Sequence, residues 1–292
     1  MYICQIMSIP FRWNIARREQ LGRMIAGEPL LPSADFVHAL RLCGARVVAF
    51  ATNADLIFIG RSPESLFDYL SGVFAVTTWA ERCSLVNISL RVNDQTSFGQ
   101  TYPHAVTPGR TLLADYGLSP EQLLQRSRPV AFVDLVDSGE TFGHLATLLL
   151  DWALERHLDP AAIKQKLRFV GITRRTQTSP KTWRWQQHVA WTKQFSPRQI
   201  KNVSIPSTLW RYLGNEQQKV TPSNPPWRWG TDALTSPERD PAHLAALNLA
   251  VYLYDYGNTP VERRAFADCL AQIPAIRERW YRALITDLRQ AA

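Results

Sequence analysis

The chain carries the sequence PVAFVDLVDSGET at residues 129–141, and this stretch decides the fold that we predict. Its first half is a short, valine-rich apolar run, which is typical of a buried strand in a parallel sheet. Asp134 and Asp137 follow at the carboxyl end of the strand, and the turn SGET leads into apolar residues at helical spacing from Phe142 to Trp152. The stretch therefore predicts a strand, a short polar turn and a helix.

The turn has the groups that an anion-binding site needs. A helix start offers free backbone N–H groups and the positive end of the helix dipole, and the hydroxyls of Ser138 and Thr141 add donors. Gly139 lets the backbone approach a ligand closely, and Asp134 can accept hydrogen bonds from sugar hydroxyls. A sugar phosphate is the ligand that this combination favours. The alternative is an ordinary strand–turn–helix connection with a capping box.

A second turn of the same kind lies at residues 55–67, with the sequence DLIFIGRSPESLF. An apolar strand again runs into a tight polar turn, where Ser62 is the predicted N-cap and Pro63 the first helical residue. Arg61 would lie beside the positive end of that helix. Ligands of parallel sheets collect at the carboxyl ends of the strands, so the two turns support each other. Alone, this turn is equally explained as a well-capped helix.

Residues 130–141 resemble the phosphoribosyl-pyrophosphate (PRPP) motif of the type I phosphoribosyltransferases. That motif is a hydrophobic strand, two adjacent acids, two apolar residues, a variable and often acidic residue, and then Thr/Ser-Gly-any-Thr. The chain reads VDLVDSGET from Val133 to Thr141, so valine stands where the family usually carries the first acid. The resemblance covers about residues 55–175 and implies a type I phosphoribosyltransferase fold.

The resemblance also implies a role for single residues. Asp134 would hold the ribose and help to place the metal-bound donor, and Asp137 is the candidate for acid/base catalysis. The pyrophosphate would lie against Arg61 and Ser62. The 5′-phosphate would be held by the turn made of Ser138, Gly139, Glu140 and Thr141, next to Asp134 and Asp137.

A long segment without periodicity, residues 93–118, is predicted to be a loop. In the family a mobile loop at about this place closes over the donor and excludes water. His104 and Arg110 would then meet the pyrophosphate. An exposed loop without a function is the alternative.

The function that the resemblance implies is transfer of a phosphoribosyl group from PRPP, with Mg²⁺, to a nitrogenous base, or the reverse. A non-catalytic module that senses PRPP or a nucleotide is the second hypothesis, because a missing acid fits such a regulator. It would act through a protein partner, bound by the C-terminal helices, or through nucleic acid. A nucleic-acid surface in the Trp- and Arg-rich region is the third.

The fold class that we predict is α/β, with a Rossmann-like parallel twisted sheet, N-terminal helices and a helical C-terminal extension. The predicted regions are 1–48 (helical), 49–176 (phosphoribosyltransferase-like core), 177–239 (Trp-rich hood or linker) and 240–292 (helices). Further helices are predicted over 10–28, 33–44, 240–257 and 261–273, and two more start at Asp159-Pro160 and at Pro274. Strands are predicted over 47–51, 84–92, 167–172, 188–195 and 201–205.

Composition sets the remaining expectations. The chain is 46% hydrophobic, enough for a sizeable core, and its formal charge of +8 suits an anionic partner or is simply solvated charge. The four cysteines are far apart, as in a reducing compartment. No apolar run is long enough to cross a bilayer and no secretory signal is found, so we expect a cytoplasmic protein that does not bind membranes. We also expect a homo-oligomer.

Tryptophan is concentrated in one part of the chain. Six of the ten tryptophans lie between Trp183 and Trp229. A flat aromatic face there can stack a nucleobase. Packing in the core or at an interface is the more common use of tryptophan.

Overall fold

The computed structural model describes residues 9–90, 98–175, 185–231 and 239–292. Within these ranges five strands form one sheet in the order β2-β1-β3-β4-β5, and every neighbouring pair is parallel. The predicted α/β class and parallel, Rossmann-like sheet are therefore confirmed. The strands are β1 Asp55–Ile59, β2 Cys83–Val86, β3 Val130–Leu135, β4 Leu167–Arg174 and β5 Ile200–Ile205.

Helices cover both faces of the sheet. One layer holds α1, α2, α9, α10 and α11, and the other holds α4 to α7. In this part of the chain the helices are α1 Phe36–Ala51, α2 Glu64–Phe74, α3 Phe98–Thr101, α4 Val106–Asp115, α5 Pro120–Gln125, α6 Glu140–Glu155, α7 Pro160–Lys166, α8 Ser207–Arg211, α9 Pro241–Gly257, α10 Pro260–Ala271 and α11 Arg279–Gln290.

Strand β3 shows how the two layers share the sheet. Ala131 and Val133 face the layer of α1, whereas Val130 and Phe132 face the layer of α6. All four side chains are fully buried, as expected for a central strand whose successive residues point to opposite faces. Because β1 pairs with both β2 and β3, the direction of strand connection reverses between β1 and β3. A crevice for ligands forms at such a reversal point, beyond the carboxyl ends of the strands.

The N-terminal predictions were wrong. Residues 10–28 do not form a helix but hold two short 3₁₀ turns, Arg18–Gln20 and Gly22–Ile25, because the backbone of Gly22 is left-handed (φ +50°). The predicted helix over 33–44 and strand over 47–51 are one helix, α1. Gly44 does not end it. A Cβ at Gly44 would lie 3.0 Å from Leu70, so this glycine allows α1 to pack closely against α2.

The predicted loop over 93–118 was also wrong where the structure describes it. Residues 98–101 and 106–115 are helical, and residues 91–97 lie outside the described part. The strand predicted over 84–92 was too long, because β2 ends at Val86 and residues 87–90 are irregular. Gly109 lies inside α4, although a glycine in a sequence often indicates a turn or loop. A Cβ there would lie 2.5 Å from the Trp229 ring, so the glycine serves close packing rather than a turn.

The C-terminal predictions were mostly confirmed. Asp159, Asp240 and Thr259 cap α7, α9 and α10, as their Asp-Pro and Thr-Pro starts favour. The apolar stripes of α9 to α11 pack into the layer of α1. Two corrections remain: residues 188–195 hold a 3₁₀ turn instead of a strand, and Pro274 starts a short 3₁₀ turn before α11. None of the described helices combines the length and the apolarity needed to cross a bilayer.

Candidate functional site

A cavity of about 780 Å³ lies at the carboxyl edge of the sheet, at the reversal point between β1 and β3. Its volume is in the range of small-molecule sites. Segments that follow all five strands contribute to its wall. The lining comprises residues 59–62 after β1, 87–90 after β2, 134–142 after β3, Arg174 at the end of β4, Trp210, Gly214 and Asn215 after β5, and Ser223 and Asn224.

The turn between β3 and α6 has the geometry of a helix start that faces the cavity. Gly139 occupies the N-cap position with a left-handed backbone (φ +87°), and its carbonyl accepts the first intrahelical bond, from the Gly143 N–H at 3.1 Å. The N–H groups of Glu140, Thr141 and Phe142 therefore have no acceptor within the helix. Ser138 and Thr141 are half-buried in the cavity wall. The turn can surround an anion with backbone and hydroxyl donors.

An indole ring supports this turn from behind. A Cβ on Gly139 would lie 2.1 Å from Cε3 of Trp185, so no other residue fits at this position without displacing the ring. The ring is itself fixed, because Trp185 Nε1 donates to Asn202 Oδ1 at 2.8 Å and Trp191 stacks at 5.9 Å between centroids. Sequence reasoning predicted the need for a glycine here but not its packing partner.

Asp134 is the buried acid of the site. Its side chain is 8% exposed, and its Oδ1 accepts a hydrogen bond from the Leu135 N–H at 2.7 Å. Burial raises the pKa of this carboxyl well above its usual range, and the bond from Leu135 opposes that effect only in part. A buried carboxyl with a raised pKa in a cavity is typical of functional sites.

The free energy of unfolding of the ligand-free Asp134→Asn variant is expected to rise relative to that of the wild type as the pH increases. The carboxyl titrates near pH ~3.9 in the unfolded chain but at higher pH in the fold. Above about pH 4 the folded state thus binds more protons than the unfolded state, and stability falls with rising pH until the folded pKa is passed. Asparagine does not titrate.

Urea unfolding of both proteins between about pH 4 and 8 measures this difference. Asp268→Asn serves as the control, since Asp268 is exposed in its pair with Arg289. Parallel curves for wild type and Asp134→Asn would contradict a raised pKa.

Asp137 lies at the mouth of the cavity, in an ion pair with Arg174. The Arg174 Nη2 is 2.8 Å from Asp137 Oδ1, and its guanidinium stands 4.9 Å from the ring centroid of Trp210. Trp210 is held by a bond from its Nε1 to the Ile172 carbonyl at 3.1 Å. The side chains of Arg174 and Asp137 are 39% and 64% exposed, so their pair adds little stability and can open at little cost.

The turn after β1 lies beside the turn after β3. Gly60 is left-handed (φ +70°), and its N–H donates to the Val86 carbonyl at 2.8 Å, which ties the turn to β2. Arg61 and Ser62 line the cavity as predicted by their position after a strand. The predicted N-cap, Ser62, was wrong by one residue. Pro63 occupies the N-cap position of α2, and no side chain there accepts a hydrogen bond from the helix start.

Two predicted residues of the site lie elsewhere. Arg110 pairs with Glu155 of α6, with Nη2 2.7 Å from Oε1, and its guanidinium faces Trp152. His104 is exposed on the 3₁₀ turn before α4. Neither residue lines the cavity. The expected closure over the donor by these two side chains is therefore not part of this arrangement.

Among the described tryptophans of this region, Trp227 is 63% exposed, and the others do not join it in a flat exposed face. Trp185 and Trp229 are buried and Trp191 packs against Phe169, so these three belong to the layer of α6. Trp183 lies outside the described residues. Trp210 is the tryptophan that lines the cavity.

Sequence reasoning missed the wall segment, residues 217–224, whose last two residues, Ser223 and Asn224, line the cavity. Glu64, only 1% exposed, accepts hydrogen bonds from the N–H groups of Val220 and Thr221 at 3.1 and 3.0 Å. Arg12 donates to both oxygens of the buried Asp68, at 2.6 and 2.8 Å, and to Thr221 Oγ1 at 3.0 Å. These partners are 56 to 209 positions apart, so no local pattern could have paired them.

Magnesium is the metal that the resemblance implies. It requires six oxygen ligands and usually takes one or two carboxylates together with phosphates and water. Across the described ranges, no group of three or more His, Cys, Asp or Glu side chains is placed to hold a metal ion. Asp134 and Asp137 are carboxyl groups of the kind that would bind such an ion together with the phosphates of a ligand.

Comparisons of the chain with protein-family models, with curated proteins and with solved structures gave no match.

Proposed function

We propose that the cavity binds PRPP or a nucleotide and that the protein transfers a phosphoribosyl group to or from a nitrogenous base. The observation that carries the proposal is the turn between β3 and α6. Three N–H groups without helical acceptors and two hydroxyls gather there at the start of a 16-residue helix. This combination suits a phosphate monoester. Its place at the reversal point of a parallel sheet supports a phosphosugar ligand.

The remaining lining residues would serve the other parts of the ligand. Asp134 would accept hydrogen bonds from the ribose hydroxyls, and Arg61 and Ser62 would meet the leaving pyrophosphate, whose developing charge needs a cation. Asp137 would act as acid or base once its pair with Arg174 opens. Magnesium bound with the donor would supply further charge neutralisation. Trp210 offers an apolar wall that helps to exclude water.

A non-catalytic module that binds the same ligand is the second candidate, and Val133 favours it. Its side chain is completely buried in the layer of α1, where no carboxylate can reach a sugar. Of the two adjacent acids in the family motif, only the second, Asp134, is then present at the end of β3. Such a module would bind PRPP or a nucleotide without releasing pyrophosphate.

Incubation with PRPP, Mg²⁺ and a panel of nitrogenous bases, followed by measurement of pyrophosphate, separates the two candidates. Asp134→Ala is expected to abolish pyrophosphate release in a transferase, and to abolish only PRPP binding in a sensing module. Titration calorimetry supplies the binding data. If PRPP, ribose 5-phosphate and the nucleoside 5′-monophosphates all fail to bind the wild type, both candidates are wrong.

Replacing Arg61 with glutamine is expected to weaken PRPP about tenfold or more, since a charge-assisted hydrogen bond is lost. Ribose 5-phosphate, which has no pyrophosphate, should bind within about twofold of the wild type. Arg110→Gln is the matched control, because Arg110 is paired with Glu155 away from the cavity. Equal losses for the two variants would contradict a pyrophosphate site at Arg61.

A further inference from the structure

The amino-terminal edge of the sheet, opposite to the cavity, is bordered by basic residues. Because all five strands are parallel, the residues just before each strand meet at this edge, roughly 20 Å from the carboxyl edge. We call the basic residues that precede a strand or occupy its second position the basic edge. They are Arg82 before β2, Arg126 and Arg128 before β3, Lys164, Lys166 and Arg168 at β4, and Arg198 and Lys201 at β5.

Hydrogen bonds join the basic segments to one another. Lys166 Nζ donates to the Arg126 carbonyl at 2.5 Å, which connects the approach to β4 with the approach to β3. Gln199 Nε2 donates to the carbonyls of Lys164 at 2.5 Å and of Leu167 at 3.1 Å, which connects the approach to β5 with β4. The basic edge is therefore a continuous strip, and its extent from β2 to β5 is four strand spacings, roughly 20 Å.

Carboxylates neutralise only part of this strip. Asp55 accepts from Arg82 Nε at 3.1 Å and from Arg126 Nη1 at 3.0 Å, so two guanidinium groups share one carboxylate. The other six residues of the basic edge form no ion pair with an acid in the described ranges. Two further acids adjoin the strip in sequence, Glu81 and Asp159, and Asp159 caps α7. The strip thus keeps an excess of positive charge, in a chain whose formal charge is +8.

Two of the cations are neighbours on one face of the sheet. Phe169 of β4 lies opposite Ile200 of β5, and both face the layer of α6. Arg168 and Lys201, one residue to either side, are therefore diagonal neighbours on the other face. Burial lowers the pKa of Arg168, whose Nη1 donates to two backbone carbonyls rather than to a carboxylate. Like charges placed in this way destabilise a sheet, and an anionic partner would offset that cost.

The side chains between the cations indicate which anionic partner fits. Gln165, Ser196 and Gln199 are polar and uncharged, whereas the apolar Leu167 and Ile200 are buried. Insertion into a lipid surface needs exposed apolar side chains, and single-stranded nucleic acid is bound on exposed aromatic rings. Residues 164–168 and 196–201 offer neither kind of side chain. A row of cations held in place by backbone contacts suits the regularly spaced phosphates of a duplex.

We infer that the basic edge binds double-stranded nucleic acid through its phosphates, without reading the base sequence. The inference does not rest on the proposed function, because the strip and the cavity lie at opposite edges of the sheet. Cations that contact phosphates release counterions from the duplex, so binding weakens steeply as the salt concentration rises. A strip of this length can contact roughly four phosphates.

Fluorescence anisotropy with a labelled, mixed-sequence DNA duplex of about 20 base pairs tests the inference. The wild type should bind with a Kd of about 10 μM or below at about 50 mM salt, and roughly hundredfold more weakly at about 200 mM. A triple variant, Lys164→Gln with Arg198→Gln and Lys201→Gln, should bind at least about tenfold more weakly at the lower salt concentration. Its slope of log K against log salt should be smaller by about three.

A second triple variant controls for net charge. Arg17→Gln with Arg23→Gln and Arg228→Gln removes the same charge from exposed residues outside the basic edge. It should weaken duplex binding by less than about threefold, since salt screens distant charges. Equal losses for the two triple variants would overturn the inference, because binding would then follow net charge and not the strip.

The wild type alone also tests the inference, in case the triple variant of the basic edge does not fold. The inference is overturned if the duplex does not bind at about 50 mM salt. It is overturned as well if single-stranded DNA or phosphatidylserine vesicles bind more tightly than the duplex. Competition by ribose 5-phosphate at constant ionic strength would place the duplex in the cavity and would also overturn it. None of these results decides the proposed function, which the PRPP titrations test separately.

Discussion

Replacing Gly139 with alanine is expected to lower the free energy of unfolding by about 3 kcal/mol and to abolish binding of phosphate esters. Two costs add up. The left-handed backbone of Gly139 (φ +87°) is unfavourable for a residue with a Cβ, and that Cβ would lie 2.1 Å from the Trp185 ring. Either the ring or the turn must move, and the ring is held by Asn202. Movement of the turn displaces the N–H groups that the proposed phosphate needs.

The chain offers a matched control for the cost of placing a residue with a Cβ in a left-handed backbone conformation. Gly22 is also left-handed (φ +50°), but a Cβ there would meet no atom within 4 Å. Gly22→Ala should therefore cost only ~1 kcal/mol, the strain alone, and leave ligand binding unchanged. Urea unfolding and calorimetry with ribose 5-phosphate measure both effects. If the two variants are equally stable, the contact between Gly139 and Trp185 does not constrain the turn.

The sheet was largely predictable because its signals are local. A run such as residues 130–135 is short, apolar and valine-rich, and it is bounded by Pro129 and a polar turn. Helix starts were predictable where an acid or hydroxyl precedes proline, as at Asp240 and Thr259. Glycines misled the prediction because their meaning depends on a distant partner. Gly44 was predicted to end a helix, yet it lies within α1, where the absence of a Cβ lets Leu70 pack against the backbone.

The same distinction between local and long-range signals applies to the site. The two turns at residues 60–62 and 138–141 were found because each follows its strand directly, and parallel topology brings them together. The wall at residues 217–224 was not found, since it depends on Glu64 and Arg12. No spacing rule connects an N-terminal arginine with a segment 209 positions later. The role of Trp185 behind Gly139 was hidden for the same reason.

Replacing Asp68 with asparagine is expected to lower the free energy of unfolding by ~3 kcal/mol, because it leaves the Arg12 guanidinium largely buried without its carboxylate partner. Asp68 is 1% exposed and Arg12 16%, and their contact is bidentate. Arg12 also binds Thr221, so its displacement should loosen the wall segment that ends at the cavity. We therefore expect the variant to bind PRPP or a nucleotide more weakly than the wild type.

The exposed pair of Arg289 and Asp268 provides the comparison that separates burial from charge. Its side chains are 52% and 64% exposed, so Asp268→Asn should change stability by less than ~1 kcal/mol and leave binding unaffected. Thermal or urea unfolding of both variants, with calorimetry on the folded proteins, measures the contrast. Equal stability losses would mean that the Arg12–Asp68 pair is not desolvated as its geometry implies. A full loss of stability with unchanged ligand binding would show that the wall segment keeps its position without Arg12.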